Sequence, residues 1–295
     1  MKVLAMAGSL REQSYNRGLV RAAQALAPSG MTLTIGDIAP LPLYNGDDDG
    51  DNRPAAVMAL AEQVAQADAS LFATPEYNYS IPGVLKNAID WLSRVPGDIF
   101  TGKPAAIMGA SMGGMVAQLA AATHPERVLS VTSIMSSTNS PFLPPPKPAA
   151  LKTLVAPKVK IETVEDYVAF GLGMMAKLGG TLDQGRDELT EMFQRSWERG
   201  LNPRGVRNQF MAIMATGNLS KRLKNVRCPA QVIHGGADPL IRPAGGRASA
   251  RAMPGARLTI IDGMGHDFPP SVQPRLIELV AENCARAGRA PKAAA

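Results

Sequence analysis

Apolar positions along this chain gather into short runs separated by longer amphipathic stretches. Seven runs, "KVLAMAG", "TLTIGDI", "SLFATPE", "PAAIMGA", "VLSVTSIM", "AQVIHGG" and "RLTIIDG", have the length and density of strands buried on both faces. Most end in Gly, Asp, Ser or Pro, and the intervening segments are long enough to hold crossover helices. The alternation predicts an α/β fold with a doubly wound, mostly parallel seven-stranded sheet. Ligands of such sheets bind beyond the carboxyl ends of the strands, so the residues just after each run are the candidate functional positions.

One segment interrupts the rhythm. "NSPFLPPPKPAALKTLVAPK" opens with a proline cluster that neither strand nor helix interiors tolerate. Helical patterns follow in "ETVEDYVAFGLGMMAKL", "ELTEMFQRSWERG" and "PRGVRNQFMAIMATG", and their Met, Phe and Trp stripes read as packing residues. Residues 141–222 are therefore expected to form a helical cap inserted into the sheet fold. The Ala-rich tail "APKAAA" reads as a frayed end.

Composition narrows the functional classes. The net charge of +6 is spread along 295 residues with few aromatics, which argues against a nucleic-acid groove. Two cysteines without metal-ligand spacing point to neither a disulfide framework nor a metal site, and make a reducing cytoplasm the expected location. The apolar start "MKVLAMAGS" stops too early for a secretory signal and reads as a first strand. No run is long enough to span a bilayer. The expected partner is a small molecule, with no nucleic acid and no membrane, bound to a monomer or homodimer.

The loop after the first run, "GSLREQSYNRGLVRAA", opens a helix with Ser9, Arg11, Ser14 and Asn16, donors that together with helix N-terminal amides can cradle a phosphate. An ordinary capped turn explains the same residues equally well. After the third run, "TPEYNYSIPGVLKNAIDWLSR" resembles the flavin-side loop and helix of the NADPH-dependent FMN reductase family, which is flavodoxin-like. The resemblance covers residues 1 to about 114. It implies FMN phosphate at Ser9, Arg11, Ser14 and Asn16, and the flavin ring along Pro75, Glu76, Tyr77 and Asn78. Backbone near Ser111 and Gly114 would form the third wall. Met112 departs from the family's usual loop, and the family's last helix and strand are not recognisable after Gly114.

Gly109-Ala110-Ser111-Met112-Gly113 also fits G-x-S-x-G, in which a serine on a sharp strand-to-helix turn exposes its hydroxyl. That pentapeptide alone is weak, since glycine-rich turns share it. From about residue 105 to 295, however, the chain resembles the α/β-hydrolase superfamily in its capped, esterase-like branch. "AQVIHGGADPLIRPAGG" puts Asp238 where that family keeps its acid, and "RLTIIDGMGHDFP" puts His266 where it keeps its histidine. The resemblance implies Ser111 as nucleophile, His266 as general base and Asp238 as orienting carboxylate. His124 reads as a surface residue at a helix end. His234, one residue past its apolar run, reads as support for the Asp238 loop, and Asp267 as a structural or solvated carboxylate. The family's His-Gly oxyanion loop is missing, so Met112 with Glu76 or Tyr77 is expected to supply the oxyanion donors.

The two resemblances meet in one strand. Joining them predicts the strand order 2-1-3-4-5-6-7, with 1–106 as a flavodoxin-like half, 107–140 and 223–295 as a hydrolase half, and 141–222 as the cap. A ring lying on Ser111 would cover the nucleophile, so the two chemistries exclude each other. The favoured reading is a serine hydrolase of carboxylesterase type acting on small esters, slowed by its substituted oxyanion loop. It needs no cofactor, although a residual FMN site is compatible with the intact flavin motifs. The alternatives are an FMN-binding NAD(P)H oxidoreductase and a catalytically silent chimera of the two folds.

Overall fold

The computed structural model describes residues 1–25, 27, 29–75, 81–100, 105–155, 161–198 and 203–287. By contacts the chain divides into two compact units, Met1–Ala105 and Ala106–Ala295.

The first unit carries three strands, β1 (Lys2–Ala7), β2 (Thr32–Gly36) and β3 (Ala69–Ala73), in the order β2-β1-β3. β1 is central and parallel to both neighbours, with Leu4 opposite Thr34 and Ser70. Its alternation decides the layers. Leu4 and Met6 face a core built with Val57, Leu60 and Val64 of α2 (Ala55–Gln66) and Ala88, Trp91 and Leu92 of α3 (Gly83–Leu92). Val3, Ala5 and Ala7 face the other way, onto Val20 of α1 (Tyr15–Ala25). A strand buried on both faces can carry apolar residues at every position, which is why "VLAMA" reads as a continuous run. Trp91 is fully buried and its indole N–H donates to Pro42 O at 2.8 Å, so its one polar atom is satisfied.

The second unit carries β4 (Ala105–Ala110), β5 (Val128–Ile134), β6 (Ala230–Gly235) and β7 (Arg257–Ile261), side by side in that order. The pairings β5–β6 and β6–β7 are parallel. α4 (Met112–Thr123) contributes Met115, Ala117 and Ala121 to one core, joined by Met253 just past α9 (Pro243–Ala252), against Val131, Ala230 and Val232. α10 (Gln273–Ala287) contributes Leu276 and Leu279 to the other, against Ile134, Ile233 and Met264. The α/β class, with parallel strands and helices on both faces, is thus the one expected. The described strands form two sheets of three and four, each a consecutive part of the expected order.

Among the described residues, four α-helices lie between β5 and β6: α5 (Pro148–Val155), α6 (Val164–Leu178), α7 (Arg186–Glu198) and α8 (Pro203–Thr216). A capping box starts α6, with Thr163 accepting from Asp166 N and Asp166 accepting from Thr163 N. Phe193 of α7 is buried against Gly171 of α6, where any Cβ would come within 2.5 Å of the ring. The packing reading of the apolar stripes holds there. It does not hold on α8, where Phe210, Met211 and Met214 are exposed. Among the described residues no helix is long and apolar enough to cross a membrane.

Candidate active site

The second unit brings Ser111, Asp238 and His266 together, and each owes its place to a different local device. β4 turns into α4 with one residue between them, Ser111, at φ 55° and ψ −121°. A side chain at this backbone conformation is strained, and it persists because both flanks are pinned. Ser111 N donates to Ile134 O at 2.9 Å, while Ser111 O accepts from Gly114 N at 3.0 Å. The turn is tight enough to exclude side chains at two glycines. A Cβ on Gly109 would lie 2.0 Å from Gly113 O, and one on Gly114 would lie 2.5 Å from Ser136 Cβ. Gly113, the second glycine of the G-x-S-x-G pattern, would meet nothing within 4 Å. Met112 is the first residue of α4, so its backbone N–H has no partner inside the helix.

Asp238 follows β6 and is buried. Its Oδ1 accepts from Leu240 N and Ile241 N, both at 2.9 Å, which leaves Oδ2 for His266 Nδ1 at 2.8 Å. His266 lies beyond β7, and its Nε2 is 3.0 Å from Ser111 Oγ. The carboxylate requires a donor opposite it, so Nδ1 carries the ring proton and Nε2 is left to accept the serine hydroxyl. A serine hydroxyl aimed at a bare imidazole nitrogen, with a free helix N-terminal amide beside it, can hand over its proton while the oxygen attacks a carbonyl.

His234 is the fifth residue of β6, not one beyond its strand. It is fully buried, and Nε2–H donates to Ile241 O at 2.7 Å, bracing the backbone that in turn holds Asp238. Asp238 Oδ2 is also 3.5 Å from that nitrogen, but the single proton goes to the nearer carbonyl. Nδ1 has no hydrogen-bond partner among the described residues and faces Gly246. Burial pushes this imidazole below its ordinary 6.5 and outweighs the bond to Ile241 and the charge of Asp238. Above that value folded and unfolded chains both hold the ring neutral. As the pH falls through 6.5, the unfolded chain takes up a proton that the folded one refuses, so stability is lost towards acid. His234→Gln is therefore expected to flatten part of the fall in melting temperature below pH 6.5. An acid limb as steep as the parent's would remove His234 as its source.

Asp267, next to His266, is buried and takes no part in the Ser–His–Asp chain. Its Oδ1 accepts from Gly265 N at 2.9 Å and its Oδ2 from Gln184 Nε2 at 2.8 Å. It is a structural carboxylate and not a solvated one. His124 caps the end of α4 and is exposed. No group of His, Cys, Asp and Glu among the described residues could hold a metal ion.

In the first unit, the loop from Gly8 to Ser14 joins β1 to α1. Ser9 and Ser14 are buried, Asn16 is half-buried and Arg11 is exposed, without an ion pair among the described residues. Gly8 lets the backbone pass close to Thr74 and Leu85, since a Cβ there would lie 2.9 Å from Leu85 Cδ2. Two buried hydroxyls and a free guanidinium at a helix N-terminus fit a phosphate. Pro75 is half-buried, whereas Glu76, Tyr77 and Asn78 lie outside the described residues. The oxyanion assignment to Glu76 and Tyr77 falls there too. Gly114 belongs to α4, its N–H committed to Ser111 O.

Comparison with known proteins finds both resemblances. The NADPH-dependent FMN reductase family matches residues 1–139. An NAD(P)H-dependent FMN reductase of Pseudomonas aeruginosa is 56% identical over 113 residues, 38% of this chain and 61% of that protein. A quinone reductase of Escherichia coli is 48% identical over 115 residues, with 38% and 61% covered. The chain thus spans less than two thirds of the length of these relatives. A meta-cleavage product hydrolase of Pseudomonas fluorescens, 14% identical, superposes over 97% of this chain and 91% of its own with a TM-score of 0.53, a likeness of fold. The alpha/beta hydrolase fold matches residues 75–269, about two thirds of the sequence, and the chain belongs to that family.

Proposed function

We propose that the protein is a serine hydrolase of carboxylesterase type acting on small esters. Ser111 is the nucleophile. His266 is the base that takes its proton and the acid that returns it to the leaving alcohol, and Asp238 fixes and stabilises the imidazolium. Met112 N–H is one oxyanion donor. Residues 107–140 and 223–295 form the hydrolase half, and 141–222 its cap. No cofactor enters acyl transfer. The observation that carries this reading is the unbroken hydrogen-bonded order Ser111–His266–Asp238 on a strained strand-to-helix turn. Labelling by a fluorophosphonate probe tests it. The parent should label and Ser111→Ala should not; an unlabelled parent sinks the assignment.

The reductase-like first third supports a second reading, residual FMN binding, on the buried Ser9 and Ser14 beside Arg11, which has no ion pair among the described residues. Bound FMN would supply hydride chemistry, and these residues would hold its phosphate. Arg11→Ala removes one charge-assisted contact and should weaken FMN binding roughly 10- to 100-fold, read by quenching of flavin fluorescence. Equal affinity in both proteins would leave the loop as scaffold only. A cytoplasmic location fits the two free thiols, Cys228 and Cys284.

A further inference from the structure

Of the three residues in the Ser–His–Asp chain, Asp238 and His266 lie outside regular structure, His266 between the end of β7 at Ile261 and the turn that starts at Pro270. Ser111 is fixed by a strand and a helix, and Asp238 by two backbone amides. On the sheet side the His266 loop is tied by Ala237 N, which donates to Met264 O at 2.9 Å. Met264, buried among Ile134, Ile233 and Leu276, holds it to the core, and the cap side adds two backbone bonds. His266 N donates to Leu178 O, and Thr181 N to Gly263 O, both at 2.8 Å. The two backbones touch: a Cβ on Gly180 would lie 1.8 Å from Gly263 O, and one on Gly265 would lie 2.2 Å from Gly180 N.

The same junction buries a charge. Asp267 is 4% exposed and receives one backbone amide and one side-chain amide, and no cation among the described residues pairs with it. A carboxylate taken out of water on neutral donors alone is costly, and losing either donor leaves it under-satisfied. Gln184 Nε2 supplies one of those donors and also donates to Met175 O at 3.1 Å, on the last turn of α6. One amide nitrogen therefore joins the end of a cap helix to the residue following His266.

We propose that the Gln184–Asp267 pair locks the His266 loop to the cap and sets the imidazole in reach of Ser111. Gln184 and Asp267 are thus positioning residues for acyl transfer, an assignment that rests on the hydrolase reading above. The cap does more than cover the site: its α6–α7 connection holds the base in place. Gln184→Met keeps the side chain's length and removes both hydrogen bonds. Asp267→Asn keeps its shape but sets an amide donor against either Gly265 N–H or the Gln184 amide. Each should lower kcat roughly 100-fold through displacement of the ring, with KM little changed.

Three readouts separate the lock from general loosening. The first is the kcat-against-KM split on a short-chain activated ester. The second is the downfield proton resonance of His266 Nδ1–H, which reports the bond to Asp238 and should broaden or vanish in both variants. The third is Phe193→Leu, which loosens the α6–α7 packing away from the loop and should lower the melting temperature while leaving kcat and the resonance near the parent's. Parent-like kcat and resonance in Gln184→Met would overturn the proposal, as would an equal loss of kcat in Phe193→Leu. A parent that neither turns over ester nor labels with the probe defeats the hydrolase reading instead. The resonance alone then decides: its loss in Gln184→Met still supports the lock, and its persistence overturns it.

Discussion

Ser111→Ala is expected to lower kcat for a short-chain activated ester by about 10⁶-fold, the scale on which removal of a serine nucleophile acts when base and orienting acid remain. The melting temperature should stay close to the parent's. Alanine keeps the Cβ, so it inherits the strain of φ 55° and ψ −121° and loses only the hydroxyl bonded to His266. Ser111→Gly should be equally inactive yet more stable. Glycine accepts this backbone conformation without penalty and relieves strain of about 1–3 kcal/mol, less the extra freedom it gives the unfolded chain. In a unit of this size each kcal/mol raises the melting temperature by about 2–4 °C. The pair of variants tests two claims separately. Substantial turnover by Ser111→Ala in a clean preparation would mean another group is the nucleophile. A Ser111→Gly protein no more stable than Ser111→Ala would mean the turn stores no strain.

How far the sequence showed this arrangement differs from element to element. The seven described strands all fall on apolar runs. Burial on both faces accounts for β1, where Val3 to Ala7 are buried on either side, but not for β2 and β3, which expose Ile35, Leu71 and Phe72. The sharp turn at Ser111 was legible in its small residues, but the pattern misplaced the steric demand. Gly113 has open space, while Gly114, outside the pentapeptide, is the one pressed onto Ser136. The supporting part of His234 was anticipated and its position was not, because the apolar residues "AQVI" are followed by a polar one that β6 in fact buries. Gln184 left no trace. Its bond to Asp267 joins residues 83 positions apart, and a lone glutamine between two helices carries no periodicity or motif. The exposed Phe210, Met211 and Met214 mark the opposite failure, a stripe whose spacing is that of packing residues but whose side chains are 43%, 58% and 60% exposed. Periodicity reports which side chains share a face, and only tertiary contacts decide whether that face is covered.

The second large effect is expected at Asp238, and there the choice of substitution separates tautomer from scaffold. In Asp238→Asn the side-chain oxygen can still accept from Leu240 N and Ile241 N, so the loop after β6 keeps its shape. The amide nitrogen then faces His266 Nδ1, donor against donor. The imidazole relieves the clash by moving its proton to Nε2, the nitrogen that must be bare to receive the proton of Ser111. Loss of kcat by about 10⁴-fold should follow, as when a triad aspartate becomes asparagine, with KM and melting temperature near the parent's. Asp238→Ala lets the ring choose either tautomer, so activity need not fall further, but it orphans two buried backbone amides and should cost about 1–3 kcal/mol for each. The expected pattern is therefore a stable, inactive asparagine variant and an unstable alanine variant. Nitrogen-15 NMR of the His266 ring would report the tautomer directly. If Asp238→Asn retains most of its activity, or keeps the proton on Nδ1, then the carboxylate does not orient the base, and the role given to Asp238 is wrong.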